Sequence, residues 1–547
     1  MGLVDGGVLF GKALQNEGVE KAFVLCGGHI MPIFYGMRDV GIEIIDMRHE
    51  CAAIYAAIAY TRTSGKPAVV VTTAGPGVGN TPAGMMEAEA LGIPLLQIGG
   101  AVTTRRRDAG ELQDMSTLNV METCSKWARK IAITDRIPEY VSMAFRHAMD
   151  SNPGPVYLEI PMDLVYAKVE EEKVNFPVNY RADTIPGGDT AAVEKAAELL
   201  SNAQRPAMLI DDGARFSIGE NADAVAALSD YLKMPVGISG SSCRGLFGDE
   251  AENPLLRTNA VAGADVVLTM GCRFDFRLGY GLMIPGEAKV IQVHTDMRQI
   301  GFNLRADIGI AGGSGPVASQ LLEAVKANGT KKEGDPWTGK LAKGPVQPGR
   351  PGYKKDGIPI HPGRCAGEVA RFIEEEASDW TLVTDGGESA GWIGSTLTAR
   401  RPGQIHNGSY GANGTIGQGP CLAIGAWVAN RKPVLWYTGD GSFGFYAIEM
   451  DTMAKLGIPV VCVISNDSAW GMIRRGEKGG ARAKEIEEKG HCNVELPHMR
   501  AYEKMAAVYD GYGELVTDPD EIVPAIKRAV ANGKPSIINV EVDREAV

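Results

Sequence analysis

Mostly apolar runs of about four to seven residues punctuate this chain, alternating with alanine-rich or amphipathic stretches. Near the N-terminus the runs are Ala22 to Cys26, Ile42 to Asp46 and Val70 to Thr73, with a helix predicted over 52–62. Pro206 to Ile210, Ala264 to Met270 and Ala288 to His294 follow in the middle, and Pro433 to Thr438, Pro459 to Ser465 and Ser536 to Val542 toward the C-terminus. Their alternation with helical stretches predicts an α/β fold of doubly wound parallel sheets.

One pattern occurs twice. A threonine-led glycine turn, Thr73 to Gly77, precedes Leu91-Gly92-Ile93-Pro94, and a second, Thr438 to Gly441, precedes Leu456-Gly457-Ile458-Pro459. Thr73 and Thr438 stand 365 residues apart, as do the two Leu-Gly-Ile-Pro strings. A constant offset over turn, helix and Leu-Gly-Ile-Pro strand predicts two domains of one fold at the two ends of the chain. With a third α/β unit between them, the expected domains are 1–165, 185–330 and 360–547. A Gly-, Pro- and Lys-rich linker runs from Asn328 to Arg364, and a shorter one covers 166–188. A chain of 547 residues exceeds one hydrophobic core and suits three.

Composition acts mainly by exclusion. Hydrophobic residues at 44% and charged residues at 22% are those of an ordinary globular protein. A net charge of −12 argues against nucleic acid or an anionic membrane as the main partner. Neither a basic apolar leader nor an apolar run near membrane-spanning length is seen. The nine cysteines form no CxxC pair and read as reduced thiols, so a cytoplasmic location is expected.

Chemistry concentrates at the ends of the apolar runs. Gly439-Asp440-Gly441 closes one run and Asn466-Asp467 closes the next. Two oxygen-bearing side chains are thus predicted at the ends of neighbouring parallel strands, beside glycines that let a diphosphate reach backbone N–H groups. Mg²⁺ takes oxygen ligands and completes its shell with phosphate oxygens in such a setting. In Arg48-His49-Glu50, the carboxylate follows a strand and opens a helix, where the helix dipole favours it; on its own it reads more commonly as a helix cap.

Taken together, these segments resemble the motif set of thiamin diphosphate-dependent enzymes. Over most of the chain the similarity is to the acetolactate synthase group and, within it, to benzaldehyde lyase. Shared landmarks are Gly28-His29-Ile30, Thr73-Ala74-Gly75, Leu112-Gln113, Lys126-Trp127-Ala128, Gly271-Cys272-Arg273-Phe274 and Trp470-Gly471. The resemblance implies pyrimidine-binding, middle and diphosphate-binding domains in that order. It places the cofactor's diphosphate at Gly439, Asp440, Gly441 and Ser442, and Mg²⁺ on the Asp440 and Asp467 side chains and the Ala469 carbonyl. Glu50 would hydrogen-bond the aminopyrimidine ring. Ile416, between Gly414 and Gly417, takes the place of the family's methionine wedge, and a β-branched side chain is stiff enough for that task. Asp467 stands where the family usually has asparagine. Gly75 and Glu388 complete the cofactor set.

Because the family's sites form between subunits, the resemblance implies a homodimer as the minimal active unit and a homotetramer as the assembly. His29 distinguishes benzaldehyde lyase from the synthases and is assigned proton transfer at the substrate hydroxyl, with Gln113 as a neutral donor. The activity implied is cleavage or formation of 2-hydroxyketones from small carbonyl substrates, through an enamine. The alternative is a 2-oxo acid decarboxylase or an acetohydroxyacid synthase. A 2-hydroxyacyl-CoA lyase ranks behind both, because the chain stops soon after its last strand, without the tail that covers CoA. Gly271 to Asp275 and Val293 to Asp296 match segments that hold FAD or ADP in some relatives, but neither nucleotide is predicted here. The segment after Ile473 is expected to be a mobile loop in which Arg474 or Arg475 meets an anionic substrate. Met31, Trp392, Tyr410, Trp470 and Met472 are candidates to shape the pocket.

Overall fold

A computed structural model describes residues 2–219, 221–247, 256–329 (backbone alone for 256–259), 331–338, 353–394, 397–408, 411 and 413–546. Tyr410 and positions 339–352 of the expected linker lie outside the described residues.

Strand β1 (Leu3–Asp5) stands apart from the main sheets. The first sheet contains β2 (Lys21–Val24), β3 (Glu43–Asp46), β4 (Ala68–Thr72), β5 (Leu95–Ala101), β6 (Trp127–Lys130) and β7 (Pro155–Pro161), all parallel, in the order β3-β2-β4-β5-β7-β6. The expected linker over 166–188 includes a further strand, β8 (Lys168–Glu170), which pairs antiparallel with β1. The middle sheet is β9 (Pro206–Ile210), β10 (Val236–Ile238), β11 (Val266–Met270), β12 (Lys289–His294) and β13 (Ile308–Ala311), ordered β10-β9-β11-β12-β13. The third is β14 (Thr381–Thr384), β15 (Ile405–Asn407), β16 (Val434–Gly439), β17 (Val460–Asn466), β18 (Gly513–Val516) and β19 (Ser536–Glu541), ordered β15-β14-β16-β17-β19-β18. All three are parallel α/β sheets, as the run pattern predicts, and strands such as β4 and β7 are buried at every position.

Counted along the chain within each sheet, the first and third share one order, 2-1-3-4-6-5. The sequence repeat is therefore a repeat of topology. One detail differs from expectation: Leu-Gly-Ile-Pro is the turn into a strand, not the strand. Gly92 and Gly457 sit at φ +63° and +65°, where a side chain is strained, and end their helices. The next N–H, of Ile93 or Ile458, closes back on the Ala88 or Met453 carbonyl at 2.9 Å.

The outer domains of one chain meet through helices Glu50–Ser64 and Gly419–Asn430, both largely buried. Backbones nearly touch there: a Cβ on Gly425 would lie 1.9 Å from the Ala56 carbonyl oxygen. Glu449, fully buried in the third domain, accepts the Arg48 backbone N–H at 3.0 Å, bracing the turn that carries Glu50. No helix among the described residues is long and apolar enough to cross a membrane.

Candidate functional site

Register brings the third domain's acidic residues together. Gly439 of β16 pairs with Ser465 of β17, so Asp440 and Asp467 leave adjacent parallel strands side by side. Their carboxyl groups lie within hydrogen-bonding reach. Burial, reinforced by the charge of Asp467, holds Asp440 well above the ordinary carboxylate range, and burial raises Asp467 as well. A buried and a half-buried carboxylate facing each other are short of a cation, which fits an oxygen-coordinated divalent metal. Among the described residues no group of three or more His, Cys, Asp or Glu is arranged for a metal, so other oxygens would have to complete the shell. Asn466 is turned away from this place: its amide donates to Asn539 Oδ1 at 3.0 Å and its oxygen accepts the Ser468 N–H at 3.0 Å. Ala469 donates its N–H to Asp467 Oδ1 at 3.1 Å and lines the same space.

That space is a cavity of about 420 Å³ in which Gly439, Gly441, Ser442, Glu388, Gly414 and Ile416 also appear. Glycine is needed where the walls close in: a Cβ on Gly441 would lie 2.7 Å from the Trp470 ring, and one on Gly471 would lie 2.2 Å from Glu388 Oε2. Burial raises Glu388 above its ordinary range, against the lowering charge of Arg475, 2.7 Å away. Trp470 and Met472 line the cavity, whereas Trp392 donates to Glu388 Oε1 at 3.4 Å.

Two carboxylates position the Ile416 turn, one from the polar, glycine-rich loop Asp385 to Ser389 and one, Glu87, that the sequence did not single out. Asp385, fully buried after β14, accepts the Gly417 N–H at 3.0 Å and the Gly419 N–H at 2.8 Å. Glu87, buried on a first-domain helix, accepts the Thr415 hydroxyl at 3.4 Å. Asp385 carried a signal, an acidic residue ending an apolar run, but its target lies 32 residues away; nothing in the local sequence marks Glu87.

The segment after Ile473 is helical rather than a loop, over Gly471–Gly479 and Ala483–Lys489. Glycine-bearing charge runs resemble loops in sequence, yet here the charges pair along and beyond the helices. Arg474 is buried, donates to the Arg544 carbonyl at 3.1 Å and pairs with Glu545, which removes it from substrate contact.

The first domain builds a different set. Glu50 opens helix Glu50–Ser64, is almost wholly buried, and its Oε2 accepts the Asn80 amide at 3.0 Å. His29 lies in the turn Gly28–Ile30 after β2, with its Nδ1 3.4 Å from Thr73 Oγ1. Burial lowers the His29 pKa from its ordinary 6.5, opposed by the charge of Glu111. Gln113 has φ +70°, a left-handed conformation rarely adopted by a residue with a side chain, and packs against Gly75, where a Cβ would lie 2.8 Å from its carbonyl oxygen. Its buried Oε1 has no hydrogen-bond partner. Met31 begins the next helix with much of its surface exposed.

Within one chain the two sets stay apart: His29, Glu50, Gly75 and Gln113 are not among the residues that line the Asp440 cavity. The third domain offers carboxylates, glycines and backbone N–H groups, suited to a metal and diphosphate. The first offers a buried carboxylate, an imidazole and an amide, suited to a heteroaromatic ring and proton transfer.

Similarity to known proteins divides along the same lines. Residues 4–121 match the thiamine pyrophosphate enzyme N-terminal TPP binding domain, 193–321 the central domain, and 385–540 the C-terminal TPP binding domain. Acetolactate synthase large subunit IlvG of Mycobacterium tuberculosis is 30% identical, with 99% of this chain and 96% of that protein covered. The 2-hydroxyacyl-CoA lyase 2 of Danio rerio is 29% identical over 98% and 91% of the two chains, and that of Homo sapiens 28% over 98% and 90%. Similarity of this extent, over sheets of this topology, makes the chain a thiamin diphosphate-dependent enzyme of the acetolactate synthase group, in the carboligase and lyase class.

Proposed function

We propose that the protein cleaves and forms the C–C bond of 2-hydroxyketones. The observation that carries this reading is His29, a half-buried imidazole with a lowered pKa set against Thr73 in the turn region it shares with Gln113 and Gly75. Thiamin diphosphate, when bound, supplies a nucleophilic carbon and accepts the electron pair of the broken bond. Asp440, Asp467 and the Ala469 carbonyl would hold Mg²⁺, with the glycines at 439 and 441 admitting the diphosphate and Ile416 wedged beneath the cofactor. Glu50 would hold the ring nitrogen of the aminopyrimidine. His29, neutral at neutral pH, takes the proton from the substrate hydroxyl as its carbon becomes an aldehyde, and returns it to the alkoxide in the forming direction. Gln113 orients the carbonyl through its amide N–H, since its oxygen is already enclosed.

With the two residue sets separated in one chain, the reading calls for two copies, each giving its first domain to the other's third. A homodimer is the minimal unit, and a homotetramer the proposed assembly. Working conditions that keep nine free cysteines reduced suit the cytoplasm.

The second reading is an acetohydroxyacid synthase, supported by the name of the mycobacterial relative, in which His29 only positions substrate. The animal relatives named 2-hydroxyacyl-CoA lyase 2 suggest a third, since a 2-hydroxyacyl thioester presents the same hydroxyl next to the bond that breaks. Incubating the loaded protein with 2-hydroxyketones, 2-oxo acids and a 2-hydroxyacyl-CoA, and following products by NMR, separates the three. Aldehyde from hydroxyketones, lost in His29→Ala, is expected. Carbon dioxide from oxo acids alone, unchanged in that variant, would sink the lead reading.

A further inference from the structure

The middle sheet runs 2-1-3-4-5 along the chain, and in such a sheet a nucleotide lies where the order reverses, here outside the C-terminal ends of β9 and β11. A cleft of about 780 Å³ opens at that place, lined by Asp211, Asp212, Arg273, Arg277 and Asp296 among others. A nucleoside diphosphate needs free N–H groups or cations at the turn after the first strand, and a free carboxylate for the ribose hydroxyls.

Most of the charged groups present are already engaged with one another. The turn after β9 is Asp211-Asp212-Gly213, and both carboxylates are buried. Asp212 takes the Ser242 N–H at 2.7 Å, and Arg277 stands 3.9 Å from Asp211 and 3.6 Å from Asp212. Arg277 is also forked onto Asp275, Nε at 3.1 Å and Nη2 at 2.9 Å. Asp296, at the end of β12, is forked by Arg298, with both contacts at 2.9 Å, and accepts the Arg298 backbone N–H at 3.0 Å. Lys126 donates to the His147 carbonyl at 2.8 Å, and to Asp150 and the Asn152 carbonyl at 2.5 Å each. Arg273 Nε has no hydrogen-bond partner and stands 3.8 Å from Asp275, while the unpartnered Oδ1 of Asp211 is a buried negative charge beneath the cleft.

We infer that the middle domain rejects nucleoside diphosphates, FAD and ADP included, because Asp211 and Asp212 stand as a built-in anion where the phosphates would lie. The same ions serve as an internal tie. Asp212 lies 3.9 Å from Arg62, buried on the helix that Glu50 opens, and the charge of Arg62 acts in turn on Glu87, which holds the Thr415 turn. The cleft's charges thus join the middle domain to both others, and the chemistry proceeds without a flavin.

Calorimetric titration of the full-length protein with ADP, and separately with FAD, tests this independently of any activity. Wild type is expected to show no saturable binding up to about 1 mM ligand. The double variant Asp211→Asn/Asp212→Asn removes both charges and leaves Arg277 paired with Asp275 alone, and is expected to bind ADP at least about tenfold more tightly than wild type. Saturable binding of either nucleotide by wild type at about 100 μM or below overturns the inference. A folded double variant that binds ADP no better than wild type also overturns it. Should the double variant not fold, Asp212→Asn alone is titrated on the same criterion.

Discussion

The first and third domains share one strand order and present opposite chemistry at the same sheet edge. After β4 come Thr73, Gly75 and Asn80, with His29, Gln113 and a single carboxylate, Glu50, nearby. After β16 and β17 come the buried Asp440 and the half-buried Asp467, two facing carboxylates short of a cation. Topology decides where a ligand can approach, at the carboxyl ends of the strands; side chains decide which end of the ligand is received. A duplicated fold can therefore receive the two halves of one cofactor on two unlike edges.

The largest expected effect breaks the acidic edge. Asp440→Asn should lower activity by about 10³-fold or more through lost metal and diphosphate binding, yet raise the melting temperature of the cofactor-free protein, because one of two facing carboxylates is removed. Calorimetry with and without Mg²⁺ and thiamin diphosphate measures both; a variant that still loads with cofactor would refute the metal assignment. Glu50→Gln, on the other edge, should lower turnover by about 10²- to 10⁴-fold while cofactor still binds. Mixing the two variants sharpens the contrast. If each site takes Glu50 from one chain and Asp440 from another, mixed dimers keep one intact site, and about a quarter of wild-type activity should return after random exchange of subunits. No recovery would mean that both residues serve the same chain's site.

His29→Ala should cost about 10²-fold in hydroxyketone cleavage. The His29 pKa is depressed in the fold, so its contribution to stability is present above the unfolded value of 6.5 and is lost as pH falls through the lowered one. The acid limb of the cleavage rate should accordingly lie below pH 6.5 and vanish in the alanine variant. Asp385→Asn is expected to have the smallest effect, weakening two charge-assisted hydrogen bonds to the Ile416 turn at a cost of about 1.5–3 kcal/mol, read as a lower melting temperature and weaker cofactor binding.

Much of this was legible in the chain because parallel strands announce themselves as mostly apolar runs, and because strand ends are where glycine and acidic residues stand out. The 365-residue offset foretold a shared topology. What stayed hidden depends on three-dimensional register. Asp385 reaches Gly417 and Gly419 across a loop, Glu87 crosses a domain boundary to Thr415, and Asp211 and Asp212 change meaning only once the middle sheet's reversal point falls on them. Local composition also misled: the glycines among the charges of 474–484 suggested a loop where ion pairs sustain two helices.

The contact between Gly425 and Ala56 has a genetic reading. Every missense change at codon 425 adds a Cβ, and that atom would fall 1.9 Å from a backbone oxygen that cannot step aside without parting two domains. Gly444 and Gly476, by contrast, have open space where a side chain would grow. A random library sorted for folded protein should therefore retain only glycine at 425 and many residues at 444 and 476, so that drift between descendants of this chain would be written almost everywhere except where its two outer domains touch.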